Sequence, residues 1–198
     1  MQQPNDSYQE PSWREQHAAM GNWIAFLART LETSVIVFTR RDFGLRFFGM
    51  QAAAVLPLLF VYPVFWEGHD PRPVWAFLGL YLLFVMLARV GSVWRAARGH
   101  VQHSYYAGTP SFLRWPVFRR LSEEKARSVV EPLMVFGAGI GLMPYSEALG
   151  SYLMLATLGL MISSGITTSY RRQRMLDLRD AYLEQQDLSG RFRSGEWR

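Results

Sequence analysis

The 198-residue chain contains no cysteine, which excludes disulfide frameworks, thiolate nucleophiles and thiolate-bound metals. Lysine is almost absent as well: Lys125 stands alone beside twenty arginines, so the formal charge of +5 is an arginine charge. A GC-rich genome produces that bias, and so does contact with lipid phosphates, which guanidinium grips through two parallel hydrogen bonds. Histidine is limited to His17, His69, His100 and His103. A catalytic zinc usually takes three protein ligands, so these scattered residues read as surface histidines, and neither metal nor cofactor is expected. A cleavable secretory leader is not expected, because residues 1–14 are polar, with Asp6, Glu10 and two prolines. A first membrane span is then expected to direct insertion.

What the chain does have is long apolar runs. Mean hydropathy is −0.01, a value that averages strongly apolar blocks with polar ends and a polar middle. Residues 1–12, rich in Gln, Pro, Asn and Ser, are expected to be disordered. Over residues 13–46, Met20, Trp23, Ile24, Leu27, Leu31, Val35 and Phe38 recur at three- and four-residue steps, with Arg29 and Glu32 on the other face. This predicts a cytoplasmic amphipathic helix, lying flat on the membrane, against a partner, or on the protein's own cytoplasmic loop.

Residues 47–94 read as a first transmembrane hairpin: span 47–66, kinked by Pro57 and Pro63, then a turn at 67–73 and span 74–94. Span 47–66 matches a hydrocarbon core of roughly 30 Å at 1.5 Å per residue. Residues 95–127 form a basic cytoplasmic segment, in which Ser122 followed by Glu123 and Glu124 predicts a capped helix start. Residues 128–168 read as a second hairpin, whose first member runs through Glu131 and Pro132 to Met143 and is short for a full crossing. Residues 169–198 read as a cytoplasmic helix and tail. The expected fold is therefore all-α, with four transmembrane helices in two hairpins plus cytoplasmic amphipathic helices.

Arginine placement orients that fold. Of the twenty-one basic residues, nineteen lie in 1–46, 95–127 and 169–198; the two opposite turns hold only Arg72, and Arg89 belongs to the second span. Basic flanks stay in the cytoplasm, so both termini are expected there, with the bacterial inner membrane as the location. Arg40, Arg41, Arg95, Arg98, Arg114, Arg119, Arg120, Arg171, Arg172 and Arg174 are expected to contact anionic lipid, in preference to nucleic acid.

Two motifs invite chemistry and lack its context. Asp42, Phe43 and Gly44 spell the kinase magnesium tripeptide, without the glycine-rich loop, paired lysine and catalytic loop that it needs. Gly137, Gly139 and Gly141 lie inside an apolar span with no strand before them, so they read as helix-packing positions rather than nucleotide ligands. The packing pairs expected are Gly137 with Gly141, Gly159 with Ser163, and Gly49 with Ala53. Arg89 and Glu131, near the cytoplasmic ends of two spans, are costly to insert unpaired, which suggests either headgroup exposure or an ion pair between spans. Met175, Leu178 and Tyr182 form a stripe beyond the last span, expected to serve assembly with a protein partner or a second copy.

No catalytic constellation is found. The expected function is a noncatalytic membrane subunit or scaffold presenting cytoplasmic helices to a larger assembly, such as a secretion or DNA-transfer apparatus. The alternatives are a small transporter or channel, and a lipid-modifying enzyme or lipid-binding protein.

Overall fold

The computed structural model describes residues 13–99, 104, 106–116, 118 and 120–194. The expected disordered start, together with His100, His103 and Arg119, lies outside them. The fold is all-α apart from one two-residue ladder. In chain order it comprises α1 (Trp13–Thr39), β1 (Arg40–Arg41), α2 (Met50–Val61), α3 (Arg72–Ala97), β2 (Thr109–Pro110), α4 (Glu123–Lys125), α5 (Glu131–Leu142) and α6 (Glu147–Ser194). Strands β1 and β2 run antiparallel, with Arg40 opposite Pro110 and Arg41 opposite Thr109.

Local chemistry explains most boundaries. A tight 3-10 turn at Tyr62–Phe65, carrying Pro63, follows α2, and α3 opens with Pro73 in its first turn, where the missing N–H costs nothing. Ser122 caps α4 by accepting from the Lys125 amide at 3.4 Å, as its place before two glutamates predicts. Between α4 and α5, residues Ala126–Val130 widen into a π turn. Pro132 lacks the amide that would bond the carbonyl four residues back, and the wider turn absorbs that loss.

Two helices, α3 and α6, are long and apolar enough to cross a membrane, while residues 50–65 form a shorter apolar helix. The core draws Val35, Ile36 and Val37 from α1, Val55 and Leu59 from α2, Val74 and Tyr81 from α3, Val135 from α5, and Tyr152, Ala156 and Leu160 from α6.

The largest departure from the sequence reading concerns α1. Its second half is a core element rather than a surface helix: Val35, Ile36 and Val37 are buried, whereas Met20, Trp23, Ile24 and Leu27 remain exposed. Burial of its hydroxyls is cheap because each bonds a carbonyl of the same helix, Thr30 to Phe26 at 2.9 Å, Thr33 to Arg29 at 2.6 Å and Ser34 to Leu31 at 2.7 Å. The helix enters the bundle and the chain then returns. Phe38 packs on Phe77 and Phe84 of α3, with ring centroids at 5.2 and 5.0 Å, yet five residues later the Phe43 carbonyl accepts from Ser92 in the last turns of α3, at 2.8 Å. Asp42 makes the reversal in a left-handed conformation (φ 61) and pairs with Arg95 at 3.1 Å. The Asp-Phe-Gly tripeptide thus serves as a structural corner.

Candidate functional site

The chain returning from α1 carries Arg40 past the N-terminus of α5. Its Nε donates to both Glu131 oxygens, at 2.9 and 3.0 Å, and its Nη2 donates to Oε2 at 2.7 Å. Thr39 donates its hydroxyl to Glu131 Oε1. Arg40 Nη2 also reaches Glu32 Oε1 at 3.3 Å, and Ser163 of α6 donates to the other Glu32 oxygen. One arginine therefore lies between two carboxylates, and the network joins α1, β1, α5 and α6. Glu131 has no exposed surface and Arg40 retains 5%. Burial works against the charge on Arg40, but the adjacent Glu131 and then Glu32 outweigh it and hold its pKa above the ordinary value. The guanidinium stays charged.

Above this network lies an open cleft of about 750 Å³. Five arginines line it, Arg29, Arg40, Arg46, Arg127 and Arg171, against two acids, Glu32 and Glu124, with hydroxyls from Thr33, Ser128, Ser163, Ser164, Thr167 and Thr168. Tyr106 and Ala107, just before β2, line the cleft together with Arg127 from the π turn. Gly108 (φ 78) has its carbonyl bonded by Arg127, and a Cβ added there would come within 2.6 Å of the Arg41 carbonyl. Arg127 also pairs with Glu123, while Tyr106 donates to the same Glu123 oxygen at 2.9 Å. In chemical terms the cleft is a cationic, hydroxyl-rich depression, lined in part by the paired Arg40 and Glu32.

The expected pair of Arg89 with Glu131 is not formed. Arg89 donates to the Phe48 carbonyl at 2.7 Å, and Glu131 is fully buried and bonded instead by Thr39 and Arg40. Arg40 is likewise withdrawn from lipid, since its guanidinium is spent inside the bundle. Arg41, Arg114, Arg120, Arg171, Arg172 and Arg174 are exposed; Arg95 is half-buried against Asp42, and Arg98 stacks on Trp94 at 3.6 Å.

Helix packing also departs from the expected pairs in two of three cases. A Cβ at Gly159 would lie 2.5 Å from Leu31 Cβ and 3.0 Å from the Ala28 carbonyl oxygen, so this glycine admits α1 against α6, and Ser163 one turn on is buried. Gly137 and Gly141 face open space, and it is Gly139 that meets Gly150, with 3.1 Å between an added Cβ and the Gly150 carbonyl. The buried stripe of α5 is Glu131, Val135 and Gly139, which puts Gly137 and Gly141 on another face. Gly49, just before α2, and Ala53 on it are exposed, and Ala52, Val55 and Leu59 are the buried residues of that helix. Met175, Leu178 and Tyr182 are all exposed.

Sequence reasoning missed Glu32, Arg29, Arg46 and Arg127 as site residues. The one available signal was Glu32 on a helix face that tertiary packing then covers. The chain matches no protein-family model, no curated protein and no solved structure.

Proposed function

We propose that the chain is a noncatalytic multi-pass membrane subunit whose bundle anchors the distal part of α6 for docking in a larger protein assembly. In this reading α2, α3, the helix 123–142 and the first half of α6 all cross the bilayer, with α1 inserted from the cytoplasmic side as a re-entrant element. Exposed apolar side chains on every one of them support it, among them Phe60 and Val61, Leu83 and Met86, Leu133 and Ile140, and Leu158 and Met161. Such a belt is unfavourable in water and suits lipid. The two turns assigned to the outer face are also neighbours, joined by His69 and Glu147 at 3.0 Å.

The observation that carries the function is the continuation of α6 to Ser194 as one helix, with residues 169–193 exposed on all sides. A polar helix standing away from its bundle is either bridging to something or marginal by itself. Met175, Leu178 and Tyr182 give it a stripe at coiled-coil spacing, and an Arg191–Asp187 pair at 3.1 Å supports the last turns. The stripe is too short to hold a soluble dimer. Membrane anchoring changes that balance by raising the effective concentration of a second copy, which makes self-association the first partner to test.

The test compares the full chain with a form ending at Arg174, by mass measurement in mild detergent. The full chain is expected as an oligomer and the truncated form as a smaller one. Particles that differ only by the mass of the missing residues would reject assembly through α6.

A further inference from the structure

We propose that the cationic cleft is a binding site for a phosphate ester, held by Arg29, Arg46 and Arg171, and sized for the headgroup of an anionic phospholipid. Each of the three arginines comes from a different part of the chain: α1, the segment before α2, and α6 just beyond its apolar stretch. Among the described residues none of the three has a carboxylate partner within 4.0 Å, although Arg40 and Arg127 on the same cleft are paired. Like charges gathered in one cavity repel each other, and a dianionic or monoanionic guest removes that cost while supplying oxygen acceptors for their forked donors.

Arg127 on the same cleft is committed elsewhere, its Nη2 donating to the Gly108 carbonyl and to Glu123. Glu32 lies on the same cleft but turns its oxygens to other partners, Oε1 to Arg40 and Oε2 to Ser163. Ser128 and Thr168 add hydroxyls that make no other hydrogen bond among the described residues.

Size and lining select among phosphate sources. About 750 Å³ is far more than one phosphate group fills, and lies within the range of small-molecule sites. Phe47 and Met50 line the cleft beside the charges, and Met50 is 76% exposed, so acyl chains have an apolar exit next to the headgroup. This proposal is independent of assembly through the distal part of α6, and shares with it only the membrane setting.

The experiment follows thermal unfolding of the full chain in a neutral detergent during titration with dihexanoyl phosphatidylglycerol, dihexanoyl phosphatidylcholine or inorganic phosphate. Phosphatidylglycerol should shift the midpoint saturably and phosphatidylcholine much less. The R29Q/R46Q/R171Q variant should raise the half-saturating concentration by at least about tenfold, whereas R72Q/R179Q, which removes two charges outside the cleft, should change it by less than about threefold. If the first variant does not fold, R171Q alone, on the exposed surface of α6, is expected to weaken binding by about threefold. Competition by inorganic phosphate would identify a soluble phosphate ester as the guest, and its failure to compete a lipid headgroup; either supports the site. Equal weakening in the cleft variant and the R72Q/R179Q control, or no saturable shift with either anionic probe, overturns it.

Discussion

Arg40 and Glu131, 91 residues apart in sequence, meet side-on inside the bundle, with the Arg40 Nη2 donating to Glu131 Oε2 at 2.7 Å and Nε shared between both carboxylate oxygens. The contact pins the chain returning from α1 to the start of α5, and Glu32 with Ser163 extends the pin to α6. Removing one partner would leave the other charged and buried, which is the condition under which a buried ion pair matters most.

Glu131→Ala and Arg40→Ala are each expected to destabilise the protein by about 3–5 kcal/mol in denaturant unfolding in mild detergent. Their double variant should show an interaction energy of roughly 1–3 kcal/mol, while Glu131→Ala combined with Arg89→Ala should be additive within about 0.5 kcal/mol. Additivity in the first pair, or coupling in the second, would contradict the geometry.

Gly159 and Gly137 should respond in opposite ways to alanine. At Gly159 the added carbon meets Leu31 and the Ala28 carbonyl, so α1 must move away from α6, at a cost of about 1–3 kcal/mol. At Gly137 nothing lies within 4 Å, and alanine should be neutral or stabilise the helix by up to about 1 kcal/mol. Melting curves of the two single variants distinguish this from packing through Gly137 and Gly141.

Gly108→Ala should be more damaging than its position in a connecting segment suggests. The backbone there is left-handed, and the new carbon would approach the Arg41 carbonyl to 2.6 Å and the Phe43 ring to 3.1 Å. A loss of about 2–4 kcal/mol is expected, from conformational strain together with separation of β1 from β2. Rapid amide exchange at Arg41 in the variant, against protection in the parent, would report that separation.

The absence of cysteine makes single-cysteine labelling unambiguous. With a membrane-impermeant maleimide on intact cells, Asp70→Cys should label, and Glu124→Cys and Arg179→Cys should label only after permeabilisation. External labelling at Glu124 would refute the four-span topology.

What the sequence determines by itself is the gross partition of the chain. Apolar runs at 74–94 and 148–168 read directly as long helices because hydropathy accumulates over a run and needs no knowledge of neighbours, and Ser122 before two glutamates marks a helix start because capping is local. The sequence also shows Met175, Leu178 and Tyr182 as a stripe, since three- and four-residue spacing is a property of the helix alone. Only the tertiary structure decided which polar residues go inside. Periodicity places Glu32 opposite the apolar face of α1 and leaves Arg40 among apparently equivalent arginines, but α1 enters the bundle, and the return through Asp42 delivers Arg40 to Glu131. The same return brings Arg46 to the cleft that Arg29 and Arg171 share. Charge pairing at a separation of 91 residues depends on the path of the whole backbone, and no local pattern carries that path.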